Sequence, residues 1–462
     1  MLDLNLIPTV FDPLYAKKVD NFTLLYNPYS QKGMTLFSKK AIMVFNHIDG
    51  IKSIKSCSKG TNLTRGEILQ VFRNLYEHDI IDFKDHKRVT IKETSRNSTD
   101  LIMWIYLTEQ CNFRCTYCFV DKNPKRMNES IMKKILEKLG EEAKKRPFKR
   151  IRLRLAGGEP LLEMNLIKKI IEMSAKIKKI NKSIFDIDII TNGSLLTEKT
   201  ADYFRKNMVG LTISLDGIGK FNNLTRKYSD GSGTFRYVKK GIEIAKKHSI
   251  LSGISITITS KNIKGLPLLA KYCLENKIMM RFGFFKQLNN TLCNDNKIGD
   301  VATTMLYYKK TLRTIYSYYE KKRIFHSPLL DHSLLDDLKY LIVFSNSHCG
   351  AGSVYFSVSP EGNIQFCPAS QLCLASICDE DFIQKARIAS TPLLQKMSVE
   401  KIYECQKCLW KYICSGGCIL ERLYLNKDTS KPSYKCPMYK AMMPIILDFE
   451  AKRIIRTSFF QK

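Results

Sequence analysis

The chain has 462 residues, 44% of them hydrophobic, and 75 basic against 44 acidic side chains give a net charge of +31. That length exceeds one ordinary domain, and no apolar run approaches the ~18 residues that would cross a bilayer. The opening MLDLNLIPTVFDPLYAKKVD lacks the basic-then-apolar order of a signal peptide, so a soluble, cytoplasmic protein without a membrane partner is expected. Fifteen cysteines in such a chain point to metal ligands rather than disulfides. The lysines are scattered through stretches such as KKILEKLGEEAKKRPFKR, which read as solvated helix faces; an acidic peptide suits this surface better than nucleic acid, which is not expected as a partner.

Residues 20–95 read as a compact module, taken as a domain over 1–95. FTLLYN and GMTLF are expected to pair as a hairpin across PYSQK. SKKAIMVFNHIDG follows at helical spacing, and Thr64 and Glu67 stand at capping-box distance before a second amphipathic run. IIDFKDHKRVTIKE reads as another hairpin, which makes the module winged-helix-like, and the polar ETSRNSTD reads as a linker.

Residues 101–330 alternate strand and helix. The strand candidates are LIMWIYL, RIRLRLAG, FDIDIIT, GLTISL, GISITIT and MRFGFF, separated by helical stretches. Six β–α units predict an α/β fold with a parallel sheet wrapped as a partial TIM-type (β/α)6 barrel, whose chemistry sits at the C-terminal strand ends. Residues 345–445 are cysteine-rich with short periodicity, and a metal-stapled region is expected there rather than an apolar core. Cys57, Cys273 and Cys293 stand apart and read as small buried hydrophobes.

The chemistry concentrates in CNFRCTYC, directly after the first barrel strand. Cys111, Cys115 and Cys118 can hold three irons of a [4Fe–4S] cluster and leave the fourth iron open to a ligand. A zinc site with a distant fourth ligand is the alternative. C-x3-C-x2-C at this place in a β/α barrel resembles the radical S-adenosylmethionine (SAM) superfamily. The resemblance implies that the open iron chelates the methionine part of SAM, that the cluster's electron cleaves the sulfonium to a 5′-deoxyadenosyl radical, and that Tyr117 and Phe119 lie near the adenine. Ala156-Gly157-Gly158-Glu159-Pro160 resembles the GGEP motif at the second strand end, with Gly157, Gly158 and Glu159 toward the SAM amino group. Asn192 at the third strand end, Ser214 at the fourth, and Arg226 as a fork for the methionine carboxylate complete the implied contacts. Relatives often carry His-Asp shortly before that arginine; here Asn222-Asn223 stand instead.

The C-terminal cysteines resemble the SPASM domain, which binds auxiliary iron–sulfur clusters in peptide-modifying radical SAM enzymes. By that resemblance Cys405, Cys408, Cys414 and Cys436 hold one [4Fe–4S] cluster, and Cys349, Cys367 and Cys418 hold a second. Cys373, Cys378 or a substrate thiolate would complete the second set, and zinc is the alternative for the whole block. The N-terminal module is similar to the PqqD-like element that binds leader peptides. The resemblance therefore implies a maturase of a ribosomally made precursor peptide, three [4Fe–4S] clusters, SAM, and a flavodoxin- or ferredoxin-type reductant. A cysteine thioether crosslink, as in sactipeptide or ranthipeptide maturation, is the expected product. Carbon–carbon crosslinking, decarboxylation and formylglycine formation are alternatives within the family, and a zinc-containing winged-helix nucleic-acid-binding protein is the alternative from another class.

Overall fold

The computed structural model describes residues 3–30, 32, 34–84, 100–146, 148–180, 184–288, 297, 300–323, 349–425 and 430–460. The expected linker over 93–99, the C-terminal part of the second hairpin and Cys293 lie outside these residues.

The N-terminal part begins with β1 (Pro8–Val10), β2 (Tyr15–Val19), β3 (Phe22–Tyr26) and β4 (Met34–Ser38), of which β2, β3 and β4 form an antiparallel sheet with β3 in the middle. The hairpin expected from FTLLYN and GMTLF is β3–β4, in register from Phe22 opposite Ser38 to Tyr26 opposite Met34. Helices α1 (Lys39–Phe45), α2 (Ile54–Cys57) and α3 (Arg65–Glu77) follow. Thr64 and Glu67 close a reciprocal capping box on α3, which satisfies two otherwise orphaned donors at the helix start. The strand β5 (Ile81–Phe83) pairs antiparallel with β1, a partner more than seventy residues upstream. The neighbour in sequence that the hairpin reading assigned to it lies outside the described residues, and local pattern does not name the mate on β1.

Six parallel strands then alternate with helices: β6 (Asp100–Thr108), α4 (Glu129–Lys145), β7 (Arg150–Gly157), α5 (Met164–Ile180), β8 (Ile184–Thr191), α6 (Glu198–Lys206), β9 (Gly210–Ser214), α7 (Lys220–Asn223), α8 (Phe235–Lys247), β10 (Leu251–Ile258), α9 (Leu266–Glu275), β11 (Met280–Phe284) and α10 (Val301–Lys322). Alternation explains why these strands bury one face. Leu101, Met103 and Ile105 stand opposite Ile151, Leu153 and Leu155 in register, and all six are buried. Asn128 caps α4 by accepting from the Ile131 N–H at 2.8 Å, and Met132, Ile135, Leu136 and Leu139 form its buried stripe.

The sheet continues into the C-terminal block through β12 (Tyr355–Val358), β13 (Asn363–Gln365) and β14 (Cys373–Ser376). Strand β12 pairs parallel with β6, so the outer edge of β6 is taken and the barrel stays open. Beyond it lie α11 (Phe382–Lys396), α12 (Lys411–Cys414), α13 (Ile419–Leu425) and α14 (Cys436–Phe460). The expectation that this block lacks an apolar core is corrected. Phe356, Val358, Ile364, Phe366, Phe382 and Ile383 are buried in the same core as the barrel strands. Strand addition makes this possible, since short strands need no separate core when an existing sheet extends under them. Tyr26 and Leu24 of β3 join that core, while Leu25 packs with Val44, Phe72 and Leu75 of the helices on the other face.

Candidate active site at the strand ends

The loop after β6 is clamped before it is functional. The Glu109 N–H donates to Lys125 O and the Met127 N–H to Leu107 O, closing residues 108–127 at their base. The loop is also sewn to a distant segment, since the Arg114 N–H donates to Lys227 O at 2.7 Å and the Thr116 N–H to Thr225 O at 2.9 Å. Phe113 is buried edge-on against Tyr228, which anchors the turn between Cys111 and Cys115. Cys111, Cys115 and Cys118 are thereby held half-buried on one rigid loop.

Two cations face these thiols. Lys122 Nζ donates to Cys118 Sγ at 2.9 Å. Burial pushes the Cys111 thiol above its ordinary range, and the Lys122 charge opposes this. Burial also pushes Cys115 up to about 11, opposed by Arg226. Metal-bound cysteine must be thiolate, so cations beside buried thiols suit an anionic ligand set. Among the described residues no three His, Cys, Asp or Glu side chains converge as the ligands of one metal ion. The three thiols and their neighbouring cations fit a cluster.

The second strand end meets this loop at close quarters. A Cβ on Gly157 would stand 2.2 Å from Thr108 O, and one on Gly158 2.0 Å from Gln110 O. Both glycines are therefore required by backbone packing against the cysteine loop. Glu159 is fully buried, and its carboxylate accepts from the Thr191 hydroxyl (2.6 Å), the Asn192 N–H (2.8 Å) and the Leu161 N–H (3.0 Å). Burial raises its pKa against these hydrogen bonds. The side chain expected to meet an ammonium thus fixes the end of β8 to the end of β7. Asn192 Nδ2 in turn donates to Asn112 Oδ1 at 2.9 Å, beside Cys111. Ser214 ends β9 half-buried, in register with Ser255.

Arg226 is buried and donates through Nη1 to Tyr117 Oη at 2.6 Å. Tyr117 donates to Asp216 Oδ2 at 2.6 Å, and Nη1 stands 3.8 Å from the same oxygen. Arg226 Nε is buried with no hydrogen-bond partner among the described residues. Phe119 is exposed and borders a cavity described below. Asn222 holds the Asp216 N–H and donates to Thr234 Oγ1, and Asn223 holds the Phe235 N–H. Asp216 and Lys122 carry roles that the sequence reading did not assign. Asp216 stands two residues after Ser214, and Lys122 stands four residues after Cys118, a position whose side chain local spacing does not aim.

The C-terminal cysteines form two electrostatic groups. Burial pushes Cys405 and Cys414 each up to about 12; Cys408 and Cys436 add to both, and Cys405 adds to Cys414. Cys367 is raised by burial and then by Cys349 and Cys418, while burial raises Cys418 to about 11 against the charge of Lys286. Cys373 and Cys378 are exposed, and the Cys378 thiol stands 3.1 Å from Lys134 Nζ. The N-terminal sheet rests on this block through Tyr15 and Tyr26 against Trp410, Tyr29 against Tyr412, and a 3.0 Å Lys17–Asp448 ion pair.

Residues 105–266 match the Radical SAM superfamily. The chain is 24% identical over 343 residues to a cysteine-type anaerobic sulfatase-maturating enzyme of Clostridium perfringens, covering 71% of this chain and 91% of that one. Among solved structures, native anSMEcpe with bound AdoMet and Cp18Cys peptide shares the fold with a TM-score of 0.62 at 22% identity, over 78% of this chain and 99% of that one. Streptococcus suis SuiB bound to its precursor peptide SuiA aligns with a TM-score of 0.52 at 16% identity, over 93% and 99%. No helix among the described residues is long and apolar enough to cross a membrane. Residues 105–266 of this chain form a radical SAM domain, and the enzyme that carries it works with a [4Fe–4S] cluster and S-adenosylmethionine.

Proposed function

We propose that the enzyme modifies a ribosomally made precursor peptide in the cytoplasm, joining a cysteine sulfur to a Cα or side-chain carbon of another residue. The observation that carries this reading is the convergence of the cysteine loop, Gly157–Glu159, Asn192 and Arg226 at adjoining strand ends, next to two further cysteine groups. In this reading Cys111, Cys115 and Cys118 ligate the cluster. Asn192 and Ser214 border the ribose and methionine, Tyr117 and Phe119 flank the adenine, and the free Nε of Arg226 receives the carboxylate. Glu159 contributes by fixing Asn192. When bound, the cluster and SAM supply a carbon radical that takes a hydrogen atom from an unactivated carbon.

Thioether formation removes that hydrogen atom and the thiol proton and leaves one surplus electron. Auxiliary clusters on Cys405, Cys408, Cys414 and Cys436 and on Cys349, Cys367 and Cys418 would receive it, and a flavodoxin- or ferredoxin-type reductant would start the next turnover. The likeness to SuiB, which was solved with a precursor peptide, supports a peptide substrate. A leader strand would add to an edge of the β2–β3–β4 sheet, where backbone hydrogen bonds give affinity. The sulfatase-maturating relative favours formylglycine-type oxidation as a second reading.

The test uses anaerobically reconstituted enzyme with SAM, dithionite and a short cysteine-containing peptide encoded beside this gene. Formation of 5′-deoxyadenosine together with a peptide lighter by two hydrogens, located by tandem mass spectrometry, is expected. Absence of 5′-deoxyadenosine overturns the radical chemistry, and 5′-deoxyadenosine with an unaltered peptide overturns the thioether.

A further inference from the structure

A cavity of about 190 Å³ lies between the cysteine loop and the C-terminal block. Phe119, which follows Cys118, borders one side, and Pro368, which follows Cys367, borders the other. Whole small molecules usually occupy roughly 300–1,000 Å³, so this space suits a single side chain. Its lining is unusual for this protein. Glu109 and Asp121 contribute carboxylates, and among the described residues no lysine, arginine or histidine lines it, in a chain whose net charge is +31. Glu109 Oε2 is buried and accepts no hydrogen bond among the described residues. Lys125, whose charge feels Glu109, is committed to Glu361 at 2.8 Å. Phe119 and Leu288 supply apolar wall beside the carboxylates.

Two carboxylates on one cavity wall with no cation among its described lining favour a positively charged occupant. We infer that this cavity takes a cationic side chain of the substrate peptide, a lysine or an arginine, with Glu109 as the residue that selects it. The aliphatic stem lies on Leu288, and the charged end pairs with the carboxylates of Glu109 and Asp121. The occupant is thereby held between the SAM-binding cysteines and Cys367. The inference rests on the peptide-modifying reading and adds a specificity to it: the enzyme's basic exterior suits an acidic leader, whereas this pocket suits a basic core residue.

The experiment titrates acetyl-Gly-Lys-Gly-amide and its norleucine counterpart into reconstituted enzyme by saturation-transfer NMR, with SAM saturating so that the cofactor's own charge cannot account for a preference. The lysine peptide is expected to bind about tenfold tighter, the effect of one charge-assisted hydrogen bond. Glu109→Gln should bring the two peptides close to parity, and Asp121→Asn should remove a smaller part of the preference. Equal binding of the two peptides by the wild type, or an unchanged preference in a folded E109Q variant, overturns the inference. The wild-type comparison needs no variant, so it decides the matter even where E109Q fails to fold. SAM cleavage by the same preparation separates the two claims. Wild type that forms 5′-deoxyadenosine yet shows no lysine preference loses the pocket assignment alone, and wild type that forms none loses the reading beneath it.

Discussion

Tyr117 donates a 2.6 Å hydrogen bond to Asp216 across 99 residues of sequence, and the same phenol oxygen accepts from Arg226. One hydroxyl therefore bridges a fully buried carboxylate and a buried guanidinium. Asp216 also accepts from the Thr225 hydroxyl and the Thr257 N–H, which ties the segment after β9 to strand β10 and, through Tyr117, to the cysteine loop. Tyr117→Phe is expected to cost about 1–3 kcal/mol, because it leaves buried partners unsatisfied. Asp216→Ala should cost more, about 3–5 kcal/mol, because it leaves Arg226 charged and uncompensated. Urea unfolding measures both, and a larger loss for Tyr117→Phe would contradict this arrangement.

The surface thiol Cys378 offers a pH prediction. Its pKa is lowered, first by the hydrogen bond from Lys134 and then by Ser376, so the thiolate persists to lower pH than in a free cysteine. The thiolate is the nucleophile, so alkylation should rise with pH and reach half its maximum below the ~8.5 of an unperturbed thiol. Lys134→Ala removes the donor and should move that midpoint upward. Mass spectrometry after brief iodoacetamide treatment of the holoenzyme reads the site, and modification of Cys373 ahead of Cys378 would refute the prediction.

Much of the barrel was legible because its signals are local. RIRLRLAG alternates arginine with aliphatic residues, and the structure buries Ile151, Leu153 and Leu155 as that alternation requires. The capping box at Thr64 and Glu67 was readable for the same reason. Less legible was whatever depends on a distant partner. Nothing in SVYFSV says that Tyr355–Val358 will add beside β6, and the pattern of IIDF cannot name Pro8–Val10 as its mate. The candidate site shows the same division. Cysteine spacing pointed to the loop, but the enclosure of Glu159 by Thr191 and Asn192 appears only once three strand ends are brought together.

Replacing Cys111, Cys115 and Cys118 together by alanine should abolish 5′-deoxyadenosine formation and leave the C-terminal iron in place. If all three cysteine groups hold [4Fe–4S] clusters, the wild type should carry about 11–12 irons per chain, and the triple variant about 8. Anaerobic iron and sulfide analysis gives the count. Persistent SAM cleavage in the variant, or zinc in place of iron in the wild type, would sink the ligand assignment.

Lys435 and Glu421 form an ion pair at 2.7 Å with both side chains enclosed by protein. Glu421 also accepts from the Gln287 N–H, so the pair fastens the segment after β11 to α13. That segment carries Lys286, whose charge acts on Cys367 and Cys418. Removing one partner leaves a buried charge without its counter-ion, so Lys435→Met and Glu421→Gln should each cost about 3–5 kcal/mol, with Glu421→Gln at the lower end because it stays neutral and keeps one acceptor. The double variant should be more stable than the sum of the two losses predicts, with a coupling of about 0.5–3 kcal/mol. Purely additive losses would mean that the two groups do not act as a pair. If the Cys349, Cys367 and Cys418 group holds a cluster as proposed, Lys435→Met should also lower the iron retained by the C-terminal block, because loosening the segment after β11 displaces Lys286 from Cys367 and Cys418.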